Sequence, residues 1–226
     1  MRFDIITIFP HIFDSFLNES LLARAQKKKL LKIEIHNLRD WANDNGGLRQ
    51  AQGNFSARRK IDDKPFGGGL GMVMKVEPIF KAVKALKKQN SKVILFTPRG
   101  KKFTQKMAYE FSKLNQLIFI CGRYEGVDER VATNIADYEI SMGDYVTMGG
   151  EVFAMAVIET VSRLIPGVVG KVNFLAERRK KKGFIEYPQY TRPEIFREWK
   201  VPSVLLSGNH KKIGEWRQKH GKVIEN

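Results

Sequence analysis

Residues 121–151, CGRYEGVDERVATNIADYEISMGDYVTMGGE, decide the reading of this chain. They hold two glycine-bearing polar turns, each leaving a strand, one helix apart. The first turn, Cys121-Gly122-Arg123-Tyr124-Glu125-Gly126, follows the apolar run Leu117-Ile118-Phe119-Ile120 and precedes a helix predicted from Asp128. The second, Ser141-Met142-Gly143-Asp144-Tyr145-Val146-Thr147-Met148-Gly149-Gly150, runs into a helix predicted from Glu151. Glycines at such points let a ligand approach the backbone where a Cβ would block it. Two such turns together can build a pocket for a flat, polar cofactor.

Working outward, short β-branched or aromatic runs alternate with helical patterns. Strands are predicted at 4–9, 32–38, 92–97, 116–122 and 138–141, and helices at 11–27, 77–88, 103–114, 128–136 and 151–164. The alternation predicts an α/β fold with a mainly parallel sheet. The helix at 151–164 is apolar over most of its surface and stops at Pro166-Gly167, the pattern of a buried helix. A third turn, Leu95-Phe96-Thr97-Pro98-Arg99-Gly100, ends another strand. Parallel strands end on one common edge, where ligands usually bind. The turns at 95–100, 122–126 and 142–150 therefore predict one shared ligand site.

The chain's 226 residues, 42% of them hydrophobic, suffice for one substantial core with a small appended domain. Forty Lys and Arg against 24 Asp and Glu give a net charge of +16 and a pI near 9.9. Such an excess favours a polyanionic partner, because displacing counterions from phosphates drives association with nucleic acid. One cysteine excludes a disulfide framework and a multi-cysteine zinc site. His11, His36, His210 and His220 are scattered without ligand spacing, so no metal site is predicted, and a magnesium requirement cannot be read from the residues. No apolar run approaches the ~20 residues of a membrane span. The N-terminus Met1-Arg2-Phe3-Asp4 lacks the pattern of a signal peptide, and a cytoplasmic location is expected. Residues 42–60 read as a long polar loop, and Arg178 to Lys182 are five consecutive cations in a linker or RNA-facing arm.

Several motifs have duller explanations. The glycine-rich stretch 62–72, DDKPFGGGLGM, lacks the Gly-Lys-Ser/Thr ending of a triphosphate loop and does not open a helix after a strand. Cys121 reads as a small apolar packing residue, with no histidine near it in sequence. Asp128, Glu129 and Asp144 are acid–base candidates, although acids at a helix start also stabilise its dipole. Arg163, near the end of an apolar helix, can cap carbonyls or hold an anion.

Taken in order, Ile5-Ile6-Thr7-Ile8-Phe9-Pro10, the stretches 62–72, 121–131, 141–151, 162–167 and 187–194, and Leu205-Leu206-Ser207-Gly208-Asn209-His210 resemble the bacterial tRNA (guanine-N1) methyltransferases of the TrmD type, in the SPOUT class. The resemblance covers nearly the whole chain. It implies a SPOUT domain over 1–168 with a deep trefoil knot, a basic linker over 169–187, and a small, shortened helical tRNA-binding domain over 188–226. The three turns would be knot loops holding S-adenosylmethionine. Phe96, Thr97, Pro98, Gly122, Tyr124, Glu125, Met142, Gly143, Tyr145, Thr147, Gly149 and Gly150 are the implied pocket residues.

The resemblance further implies a homodimer with shared active sites, tRNA as partner, and methyl transfer to N1 of the guanosine 3′ of the anticodon. Arg163 matches the family arginine that stabilises charge on the guanine. Where the family has an aspartate base in the linker, this chain has Arg178, which cannot accept a proton at neutral pH. Glu177 beside it is the candidate base, so the catalytic pair is Arg163 and Glu177. The alternative is a weakly active or silent tRNA-binding relative. The chain also ends soon after Glu215-Trp216-Arg217, where the family continues.

Overall fold

A computed structural model describes residues 1–42, 60–170, 179–180 and 183–224. The predicted loop at 42–60 therefore lies almost wholly outside the described residues, and so do Glu177 and Arg178. The chain divides into two compact units, Met1–Gly170 and Lys171–Asn226.

The first unit is built on a five-stranded sheet. Its strands are β1 (Arg2–Thr7), β2 (Lys32–Asn37), β5 (Ser91–Lys102), β6 (Gln116–Ile120) and β7 (Tyr138–Ser141), in the order β2-β1-β6-β5-β7. Every neighbouring pair is parallel. A two-stranded antiparallel ladder, β3 (Asp62–Asp63) with β4 (Val73–Met74), stands apart from it. Helices α1 (Asp14–Leu17), α2 (Ser20–Lys27), α3 (Val76–Leu86), α4 (Gln105–Phe111), α5 (Glu129–Asn134) and α6 (Glu151–Ser162) complete the unit.

β6 shows why the sheet is covered on both faces. All five of its residues are buried, and successive side chains of a strand point to opposite faces. Leu117 and Phe119 enter one core with Phe3, Ile5, Phe111 and Val157, while Ile118 and Ile120 enter the other with Ile6, Ile79, Val93 and Val131. A run that is apolar without alternation is thus the mark of a central parallel strand.

Two predicted elements of the first unit differ in the structure, and the second unit, expected to be helical after a linker, also carries five short strands. The predicted helix 11–27 is broken: a 3-10 turn at Pro10–Phe13 leads into α1, and α2 begins only at Ser20, which has φ +50°. Asn18 donates from its side-chain amide to the Asp14 carbonyl at 2.7 Å, and Gln26 donates to the Leu17 carbonyl at 2.9 Å. Side chains that bond local carbonyls in this way compete with the helical ladder. The predicted turn at 95–100 lies within β5. Phe96 and Lys101 both oppose Ile140, so residues 97–100 loop out and the chain returns to the same ladder. At Gly100 a Cβ would come within 2.5 Å of the Glu139 carbonyl carbon and the Ile140 nitrogen, and only glycine fits so close to another backbone.

The second unit carries β8 (Arg179–Lys180), β9 (Gly183–Glu186) and β12 (Lys222–Ile224) in an antiparallel sheet of order β12-β9-β8, and a short hairpin of β10 (Ile195–Phe196) with β11 (Trp199–Lys200). Helices Ser203–Leu206 and His210–His220 follow the hairpin. Asn209 caps the second by accepting the Lys212 N–H at 3.1 Å. Its Trp216 stacks on His220 at 4.3 Å between centroids, and Arg217 lies over the Tyr187 ring at 4.9 Å. Among the described residues no helix is long and apolar enough to cross a membrane.

Candidate active site

Because the five strands are parallel, the ends of β1, β6 and β7 and the bulge of β5 share one edge, and a cavity of about 1170 Å³ opens there. Its walls are Phe96 to Arg99 from the β5 bulge, Gly122 to Arg130 after β6, Val146 to Gly150 before α6, and Phe153 on α6. Val73 to Glu77 and Asp63 to Phe66 close the remaining side.

The turn after β6 is forced into shape. Tyr124 takes the left-handed conformation, φ +62°, and Gly126 follows at φ +118°. A non-glycine residue held there stores strain of the kind found at ligand sites. The Tyr124 phenol is pushed above its usual range by burial and then by its hydrogen bond to Asp62. Asp128 ends the turn as the N-cap of α5, accepting the Arg130 N–H at 2.9 Å.

Nine of the twelve predicted pocket residues line this cavity: Phe96, Thr97, Pro98, Gly122, Tyr124, Glu125, Thr147, Gly149 and Gly150. Met142, Gly143 and Tyr145 do not. Tyr145 is exposed, its ring edge-on to Phe153 at 6.1 Å, and Met142 packs against the first core. The second turn doubles back on itself, with Ser141 Oγ donating to the Gly143 carbonyl at 2.8 Å. Only its latter half faces the cavity.

Arg163 caps the far end of α6 and is not in the cavity wall. Of the acid–base candidates, Asp128 pairs with Arg130 at 2.7 Å, a hydrogen bond that holds its carboxyl below the usual range. Glu129 pairs with Arg99 at 2.6 Å, and Asp144 with Lys102 at 2.5 Å. Cys121 is fully buried, and burial pushes its thiol well up, which suits packing rather than nucleophilic attack. One cluster of metal-ligand type, Asp4, Glu34 and His36, occurs among the described residues. It lies near the start of β1, and Arg2 already pairs with both carboxylates.

The residue readings missed Arg123 and Glu151. Arg123 lines the cavity and Glu151 is the fully buried first residue of α6. The local signal was present, an arginine in one turn and an acid closing the other, but their pairing depends on the strand order.

Comparison with known proteins bears directly on this edge. The family model described as tRNA (Guanine-1)-methyltransferase TrmD matches residues 1–224. A tRNA (guanine-N(1)-)-methyltransferase of Dictyoglomus turgidum is 52% identical over 219 residues, covering 97% of this chain and 84% of the relative. Proteins of the same name from Geobacter sp. strain M21 and Carboxydothermus hydrogenoformans are each 50% identical, again over 97% of this chain and over 84% and 82% of the relatives. With the match running through every turn that lines the cavity, this chain belongs to the TrmD family of tRNA (guanine-1) methyltransferases.

Proposed function

We propose that this chain is a cytoplasmic enzyme that transfers the methyl group of S-adenosylmethionine to N1 of the guanosine 3′ of the anticodon in tRNA. The observation that carries the reading is the family match over residues 1–224. The cavity fits the donor's chemistry. Phe96, Val146, Met148 and Phe153 offer apolar surface, the turns around Gly122, Gly149 and Gly150 offer backbone groups, and Glu125 offers a carboxylate to a cationic ligand. S-adenosylmethionine supplies an electrophilic methyl group on a sulfonium. Guanine N1 must lose its proton as the N1–carbon bond forms and the carbon–sulfur bond breaks. Glu177 is our assignment for the base that takes this proton, and Arg163 for the cation that stabilises charge on the guanine oxygen.

We further infer a homodimer with shared sites. Arg163 lies about 18 Å along the helix axis from Glu151 at the rise of an α-helix, too far to act in the cavity of its own chain. It shares a helix face with exposed Val152 and partly exposed Ala156, eleven and seven residues before it and so near whole numbers of helical turns. Exposed Phe9 and Ile12, on the segment beside α6, add apolar surface. A second copy laid on this face would cover it and deliver the partner subunit's Arg163. The RNA reading agrees with residues 171–226, which carry fourteen Lys and Arg against six Asp and Glu.

Labelled methyl donor incubated with an anticodon stem-loop should mark guanosine at N1, and not a loop with adenosine in its place. Arg163→Ala should lower kcat by about 100-fold, the scale of losing one charge-stabilising group. No turnover by the wild type, restored by Arg178→Asp, would overturn the assignment and leave a tRNA-binding relative.

A further inference from the structure

The two turns at the cavity are tied together by more than their backbones. Glu151 is fully buried, a costly place for a carboxylate unless its oxygens are matched. One oxygen accepts from Thr7 Oγ at 2.8 Å. The other accepts from Arg123 Nε at 2.9 Å and pairs with its Nη2 at 2.9 Å. Thr7 is the last residue of β1, and its hydroxyl also accepts the Phe9 N–H at 3.0 Å. The Arg123 guanidinium lies over the Phe9 ring at 4.7 Å.

The backbone of Arg123 is equally engaged. Its N–H donates to Met74 Sδ at 3.1 Å, and it forms an isolated antiparallel bridge with Gly149. Beside that bridge the Gly150 N–H donates to the Gly122 carbonyl at 3.1 Å. The Arg123 side chain crosses the second turn so closely that a Cβ on Gly149 would collide with it. Arg123, Gly149 and Glu151 belong to neither of the two hydrophobic cores that hold the sheet, and only Met74 among these partners does.

We propose that Arg123 is a positioning residue for methyl transfer: held by Glu151, which is anchored on Thr7, it sets the separation of the turns 122–126 and 147–150 so that both meet the methyl donor at once. This inference rests on the reading that the cavity holds S-adenosylmethionine. An arginine suits the task because its planar fork offers two N–H groups to one carboxylate while its face packs on Phe9, which a lysine's single ammonium cannot do. If the pair sets donor geometry, loosening it lowers donor affinity more than it lowers stability.

The test uses full-length Arg123→Lys, Glu151→Gln and the double variant Arg123→Gln with Glu151→Gln. The double variant replaces the ion pair by two amides and leaves no unpaired buried charge. Binding of S-adenosylhomocysteine by calorimetry, donor KM, kcat and melting temperature are measured on each. Donor KM and the S-adenosylhomocysteine Kd should rise about tenfold in the double variant, as expected when part of a binding site's preorganisation is lost. Its kcat at saturating donor and its melting temperature should stay near wild type, and Arg123→Lys should fall between. A lowered melting temperature with unchanged donor KM, or a lowered kcat with unchanged donor KM, overturns the proposal. Failure of the wild type to bind S-adenosylhomocysteine overturns the donor reading itself, a distinct result.

Discussion

Asp4 and Glu151 are both fully buried carboxylates gripped by an arginine, one near the start of β1 and the other against its end. Their partners differ in kind. Asp4 accepts from Arg2 on its own strand at 2.6 and 2.7 Å, pairs with His36 of β2 at 2.7 Å and accepts from Gln116 of β6 at 2.7 Å. It therefore cross-links three adjacent strands. Apart from Thr7, Glu151 holds a group in a turn, and that turn faces the cavity. The same device, an acid buried against a guanidinium, staples the sheet at one edge and spaces ligand loops at the other.

Removing each acid should break the comparison in opposite ways. Asp4→Ala leaves Arg2 and Gln116 without their buried acceptor and should cost about 3–5 kcal/mol in urea unfolding, the range for breaking a buried pair. The protein that remains folded should keep its affinity for S-adenosylhomocysteine. Glu151→Gln keeps an acceptor for Thr7 and Arg123 and should cost about 1–3 kcal/mol, with weakened donor binding. Equal loss of binding in both variants would erase the distinction.

Acid unfolding sharpens it further. Burial pushes the Asp4 carboxyl up, but hydrogen bonds from His36, Arg2 and Gln116 outweigh burial and hold it well below the usual range. Its folded pKa is thus below the unfolded value of about 3.9. The stabilisation is fully present above about pH 5 and is lost as pH falls below about 4 toward the folded pKa. Asp4→Asn should flatten this acid limb in pH-dependent unfolding. The smallest effect concerns strain at the cavity edge. Tyr124→Gly relieves a left-handed residue and should raise stability by about 1 kcal/mol, while removing a cavity wall and weakening donor binding.

The fold was largely legible because its strands are locally marked. The buried runs at Leu117 to Ile120 and Val93 to Phe96 announce a parallel sheet, and the short strand expected around 138–141 stands at Tyr138–Ser141. The broken helix after β1 was not legible, because Asn18 and Gln26 act through bonds to particular carbonyls that periodicity does not register. Strands β8 and β9 lie within a stretch read as a linker. β9 takes β8 on one side and β12, about forty residues away, on the other, and pairing over that distance leaves little local pattern.

At the site, the turns 122–126 and 147–150 were legible from glycine and strand ends. In the first half of the second turn, Met142, Gly143 and Tyr145 do not line the cavity of this chain. By itself the sequence determined the α/β class, the edge that carries the site and the family, since each is encoded in local patterning and motif order. Only the tertiary structure decided that Arg123 meets Glu151 across 28 residues, that residues 97–100 bulge from a strand instead of ending it, and that Arg163 stands a helix length from the cavity. Such facts depend on which strands are neighbours and on the length of α6. Strand order is set by the burial of all the elements together, so no short stretch of chain contains it.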